Sequence, residues 1–219
     1  ATYTSGDNST ALVFRYTILA GDNDSNGISI LENTLALNSS TIKDAALNNA
    51  ILTHDPWSDQ YAFVVDNTPP TVNSVAITNV VGAQNSFVNA GDNVSVTATF
   101  SEAFPSAVIV ESGTATLTLV VGSANRTATY HSGSDTATSG SNASLVFMYT
   151  ILATGTLGEN DSNGISIGAD ALNSNSITIS DRAGNIATDL THDALSDNTS
   201  YKVDTTALTV NSFTISDTL

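Results

Sequence analysis

The chain has 219 residues, 41% of them hydrophobic and only 6% aromatic, enough apolar material for one or two cores of ordinary size. Against 21 acidic residues stand five basic ones, Arg15, Lys43, Arg126, Arg182 and Lys202, and the net charge of -16 repels a nucleic-acid backbone or an anionic membrane surface while inviting divalent cations. No cysteine is present to staple the fold, and no apolar run approaches the ~20 residues that a membrane helix needs.

In chain order the residues read as short strands. The opening "ATYTSGDNST" has neither the basic end nor the apolar stretch of a signal peptide. The next run places Leu12, Phe14, Tyr16 and Ile18 on one face and Val13, Arg15 and Thr17 on the other, a period of two. "AALNNAILTHD" offers one short turn and no more. Farther on, "TVNSVAIT" and "NVSVTATF" read as strands, the latter with Val94, Val96, Ala98 and Phe100 on one side. "ATLTLVV", "RTATYH", "SLVFMYTIL", "GISI", "SITI" and "SYKVD" follow. "SLVFMYTIL" turns Leu145, Phe147, Tyr149 and Ile151 one way and Val146, Met148 and Thr150 the other; a face that takes Arg15 in one copy and Met148 in the next is the wet one. So many short strands, separated by Gly/Asn/Asp/Ser turns, predict an all-β chain built as two-sheet sandwiches.

The chain also repeats itself. "ATY" at Ala1–Tyr3 returns at Ala128–Tyr130, "YTILA" at Tyr16–Ala20 returns at Tyr149–Ala153, and "NDSNGISI" at Asn23–Ile30 returns at Asn160–Ile167. "LTHD" at Leu52–Asp55 returns at Leu190–Asp193, and "VDNTPPTV" at Val65–Val72 aligns with "VDTTALTV" at Val203–Val210. The offsets grow from 127 to 138 through insertions in Ser/Gly/Asn-rich stretches, which are turn-like in composition. The expected organisation is the C-terminal half of one unit in residues 1–65, a complete unit in 66–203, and the first strand of the next in 204–219. That phase points to a window of a longer tandem array. The alternative is completion of the half-unit by strands of a neighbouring chain, including the segment 205–219.

"VDNTPPTVNSVAIT", "AGDNVSVTATFSEA", "ATLTLVVGSANRTATYHSG", "LVFMYTILA", "GENDSNGISI" and "ITISDRAGN", in that order, resemble the immunoglobulin-like repeats of very large bacterial cell-surface adhesins. The likeness extends to the repeat of a cyanobacterial swimming-motility surface protein. The resemblance implies tandem immunoglobulin-like β-sandwich repeats of about 138 residues, exported to the bacterial surface and working as a stalk, spacer or fibre. Its partners would be neighbouring repeats of the same chain or neighbouring subunits of a fibre, and some related adhesins hold calcium. Two departures from the pattern stand out. The second junction lacks the proline pair, and "DAALNN" replaces the "DRAGN" turn and so loses its glycine.

The loops around the recurring "NDSNGISI" carry the chemistry. Asp22, Asp24, Asn26 and Gly27, followed by the Ile28 carbonyl, match the front of a calcium loop, in which alternate oxygens turn inward and glycine permits the sharp bend. The second copy offers Glu159, Asp161, Asn163, Gly164 and the Ile165 carbonyl, with Asp170 in the closing position. The expected cofactor is Ca2+. The same spelling also fits a solvated Asn/Asp/Gly turn without an ion. Asp66 and Asp204 at the junctions, with Glu102, are weaker cation candidates whose plain reading is a capped turn. His54 and His192 read as structural hydrogen-bonders, and Asp44 and Asp181 as turn residues. No nucleophile–base spacing and no phosphate loop exist, so the chain reads as non-catalytic. Trp57, near Tyr61, is the one hint of an adhesion module for a glycan or a host protein, and the second copy has Leu195 in its place.

Overall fold

The computed structural model describes residues 1–103, 109–110, 115–133, 142–153 and 159–215; for residues 102, 103, 109, 110, 133 and 142 only the backbone is described. The chain divides into two compact units, residues 1–68 and 69–219. The described residues are β-rich and hold no α-helix; the one helical piece is a 3-10 turn at Tyr61–Phe63. No helix among them is long and apolar enough to cross a membrane.

The second unit contains β3 (Val72–Val81), β4 (Phe87–Val88), β5 (Asn93–Ala103), β6 (Ile109–Val110), β7 (Thr116–Val121), β8 (Ala124–Gly133) and β9 (Asn142–Thr150). β10 (Asn160–Asp161), β11 (Leu172–Asn173), β12 (Ile179–Ser180) and β13 (Lys202–Asp204) complete it; β1 (Thr2–Ser5) and β2 (Val13–Arg15) belong to the first unit. A six-stranded antiparallel sheet runs β11-β7-β8-β9-β5-β3. A smaller sheet runs β10-β13-β4, and β12 pairs with β6. Within the smaller sheet β13 is antiparallel to β10 but parallel to β4.

Alternation explains why these residues form these strands. Val94, Val96, Ala98 and Phe100 on β5, Leu117 and Leu119 on β7, and Leu145 and Phe147 on β9 all point into one apolar cluster. Ile165, Ile167, Ile179 and Val203 enter the same cluster from the later part of the unit, giving a sandwich-like core. The Thr and Ser residues between them face outward, as a period-two pattern requires.

The first unit has β1 (Thr2–Ser5) antiparallel to β2 (Val13–Arg15) and otherwise mostly isolated bridges. Of its residues, Gly27 is the one that is buried. Phe14 is 42% exposed where Phe147 is 0%, and Leu12 is 36% exposed where Leu145 is 1%. The residues that would face them, by analogy with β5 and β7, have no counterpart in residues 1–68.

"GISI" forms no strand in either copy. The Ile28 amide donates to the Phe63 carbonyl at 3.1 Å, and the Ile28 carbonyl accepts from the Gln60 amide at 3.2 Å. Its two partners are three residues apart, with the 3-10 turn between them, and the pairing is reduced to bridges: Ile30 with Trp57 in the first copy, Ser166 with Val120 and Ile167 with Leu195 in the second.

The difference in cover sets the first expectation. Phe147→Ala should cost the second unit about 3–5 kcal/mol in denaturant unfolding, because a filled core site becomes a cavity. Phe14→Ala, at a half-exposed site, should cost about 1 kcal/mol or less.

Candidate functional site

The two acid loops share a common set of bonds. Gly27 donates its amide to Asp24 Oδ1 at 2.9 Å, and Gly164 donates to Asp161 Oδ1 at 2.8 Å. Both glycines have positive φ, +94° and +102°, and a Cβ would run into the Gln60 or Asn198 carbonyl, so glycine is required twice over. Asn26 donates its side-chain amide to Asp59, and Asn163 donates to Asp197. Asn23 Oδ1 accepts the Asn67 amide at 2.8 Å, and Asn160 Oδ1 accepts the Thr205 amide at 3.0 Å, tying each loop to the junction that follows it.

The first acid of each loop is also matched. Asp22 Oδ2 accepts the Tyr16 hydroxyl and the Leu19 amide, each at 2.8 Å. Glu159 accepts the Tyr149 hydroxyl and, at 2.8 Å, the Leu152 amide. The second copy adds an ion pair: Arg126 Nε donates to Glu159 Oε1, with the carboxylate side chain fully buried and the arginine 14% exposed. Gly122 likewise donates its amide to Asp161 Oδ2 at 2.7 Å. Both donors come from residues 71–127, a segment with no counterpart in the sequence of residues 1–68.

The protonation of these groups follows from their partners. The Leu19 amide and the Tyr16 hydroxyl hold the Asp22 carboxyl below its ordinary value. Asn48 does the same for Asp44. Burial, and then the hydrogen bond to Glu159, push the Tyr149 phenol above its ordinary range.

The remaining candidates fall into place around this frame. The carbonyl of Ile28 is engaged by Gln60, and that of Ile165 by Asn198 at 3.1 Å. Asp170 does not join Glu159 and Asp161; its Oδ1 accepts the His192 amide at 3.0 Å, as Asn33 Oδ1 accepts that of His54. His192 Nε2 accepts the Ala171 amide at 2.9 Å while Nδ1 donates to the Asp193 carbonyl at 2.8 Å. His54 repeats this with Thr34 and Asp55. Both ring nitrogens are thus used in tying turns together, a structural arrangement. Asp66 accepts the Thr68 amide and Asp204 the Thr206 amide, as turn caps do. Asp44 and Asp181 cap matching turns through Asn48 and Asn185, with Leu47 at φ 69° where Gly184 stands at 92°. The side chain of Glu102 lies outside the described residues.

A calcium ion needs six to eight oxygens free to turn toward it. Here the loop carboxylates face N–H and O–H donors, and among the described residues no group of three or more His, Asp or Glu side chains is placed to hold an ion. Sequence reasoning missed Arg126, Gly122 and the Asp59/Asp197 pair. The recurrence of Ser-Asp after Trp57 and Leu195 was the available signal for the last of these. Comparison of the chain with known protein families, curated proteins and solved structures finds no match.

Two outcomes follow. Arg126→Ala should cost the second unit about 3–5 kcal/mol, since it strands a buried carboxylate, and adding Glu159→Gln should recover part of that loss. Stability should also fall at both ends of a pH series of urea midpoints. Tyr149 has its folded pKa raised, so its contribution is complete below pH about 10 and lost as the pH rises above it. Asp22 and Asp44 have theirs lowered, so their contribution is present above pH about 4 and lost as the pH falls below it.

Proposed function

We propose that the chain is a structural, non-catalytic segment of an extracellular bacterial adhesin stalk or surface fibre, made of tandem immunoglobulin-like β-sandwich repeats. The observation that carries this reading is the recurrence of one hydrogen-bond skeleton, with its acid turn, histidine tie and junction cap, at matching positions of residues 1–68 and 128–206. Side chains spent so consistently on holding turns and junctions serve shape rather than reaction.

The mechanical element would be the parallel pairing of β13 with β4. Lys202 lies opposite Phe87 and Val203 opposite Val88, and the Lys202 amide donates to the Ser86 carbonyl at 3.0 Å. Tension applied near the two ends of the second unit draws these strands apart along their length. It loads the bonds together in shear instead of unzipping them singly. Calcium, which the loop spelling matches as well as it matches an ion-free turn, would act in this reading as an added stiffener of loops and junctions.

Single-molecule pulling on the full chain tests the proposal. The second unit should rupture in one event releasing roughly 130 residues, about 450 Å of extended chain. Lys202→Pro, which removes the Ser86 bond, should lower the rupture force. Extension without a discrete rupture would count against a load-bearing role. Melting curves with and without calcium decide the ion separately: a rise in Tm that chelation reverses retains it, and superimposable curves remove it.

A further inference from the structure

Residues 1–68 leave open the face and the strand edge that the second unit covers with its own residues 71–127. β1 and β2 pair as β8 and β9 do: Thr2, Tyr3 and Ser5 lie opposite Arg15, Phe14 and Val13, just as Thr129, Tyr130 and Ser132 lie opposite Met148, Phe147 and Val146. Tyr3 meets Phe14 edge-on with ring centroids 5.9 Å apart, and Tyr130 meets Phe147 at 6.2 Å. The other edge of β9 is taken by β5, with Val96 opposite Phe147, Thr97 opposite Val146 and Ala98 opposite Leu145. Among the described residues the corresponding edge of β2 carries no strand.

The surroundings of that edge agree. A groove runs past Tyr16, Ile18, Asp22, Asp24, Ile28 and Val65. The counterparts of Ile18, Ile28 and Val65 in the second unit, Ile151, Ile165 and Val203, are buried in the core. Charge points the same way. Glu159 and Asp161 receive donors from Arg126 and Gly122, whereas Tyr16, Leu19 and Gly27, the donors to Asp22 and Asp24, lie within residues 1–68. The groove therefore sets apolar side chains beside two acids, Asp22 and Asp24.

We propose that residues 1–68 form a docking surface for a segment with the sequence pattern of residues 71–127, whose β5-like strand adds to the free edge of β2 and whose arginine meets Asp22. This rests on the repeat reading above and names its partner. The second unit is the template, so the register is fixed in advance: Val96 opposite Phe14, Thr97 opposite Val13 and Ala98 opposite Leu12. Main-chain bonds along the edge would supply affinity, and the alternating side chains would supply selectivity.

The test uses the full 219-residue chain and a synthetic peptide of the sequence Gly91–Ser101. The chain has no cysteine, so Val13→Cys in the chain and Thr97→Cys in the peptide introduce the sole thiols. Directly opposed strand positions lie within disulfide reach. The expected result is a disulfide formed about tenfold faster with this peptide than with peptides carrying Ser95→Cys or Thr99→Cys. Trp57, the only tryptophan, should shift its emission to shorter wavelength on binding, because its counterpart Leu195 packs against the core. A Val96→Asp peptide should bind about 100-fold more weakly, a control that leaves the protein untouched. Equal cross-linking at all three positions with no change in Trp57 overturns the proposal. So does preferential disulfide formation between two copies of the chain, or tighter binding of a peptide of the tail sequence Thr209–Ile215. A failure here beside an intact rupture event in the pulling experiment removes this inference alone; loss of both removes the repeat reading as well.

Discussion

Burial of one alternating apolar face by an opposing layer is the constraint on which the rest of this structure depends. On β5 and β9 every second residue enters the core, and Phe100, Phe147, Val94 and Val96 are removed from water altogether. The first unit repeats the local hydrogen bonds and the ring contact of this arrangement without the opposing layer. Hydrogen bonds fix the shape of both halves. Each contributes only about 1 kcal/mol net, so shape alone leaves the first unit with little free energy of its own. The second unit gains its stability from area removed from water, at roughly 25 cal/mol per Å2.

The acid loops show how a chain of net charge -16 keeps its carboxylates in tight bends. Asp161 and Glu159 are nearly inaccessible to solvent, 3% and 1% exposed. Burying such a charge is costly unless it is paired and hydrogen-bonded. Backbone amides of Gly164, Gly122 and Leu152, with the Tyr149 hydroxyl and Arg126, meet that need. Repulsion among the acids is thus offset by dipoles that the fold places there, and the loop becomes a fastener between its own turn and the junction strand that follows.

The strand faces were legible in the sequence because alternation is a local signal. Val94, Val96, Ala98 and Phe100 could be assigned inward from spacing alone, and so could Leu145 and Phe147. The turn role of Asp44 and Asp181 was legible for the same reason, since an Asn four residues on is a local partner. The donors to Glu159 and Asp161 were not. Arg126 and Gly122 lie more than thirty residues earlier in the chain, and only the closed sheet brings them to the loop. Asp170 looked like a closing ligand by count, yet its left-handed backbone at φ 55° sits in the histidine turn instead. "GISI" satisfied the strand pattern but pairs only through bridges, and in the first copy the 3-10 turn at Tyr61–Phe63, which no local signal announced, separates its partners.

Amide hydrogen exchange on the unmodified chain tests the central claim most directly. Ile30 and Trp57 exchange backbone bonds of 2.9 and 2.7 Å, and Ile167 and Leu195 exchange bonds of 2.9 Å each, so the two pairs match in geometry and differ in apolar cover. If cover governs stability, Ile167 and Leu195 exchange only through unfolding of the second unit, and Ile30 and Trp57 exchange at least about 100-fold faster through local opening. Equal protection of the two pairs would contradict the account.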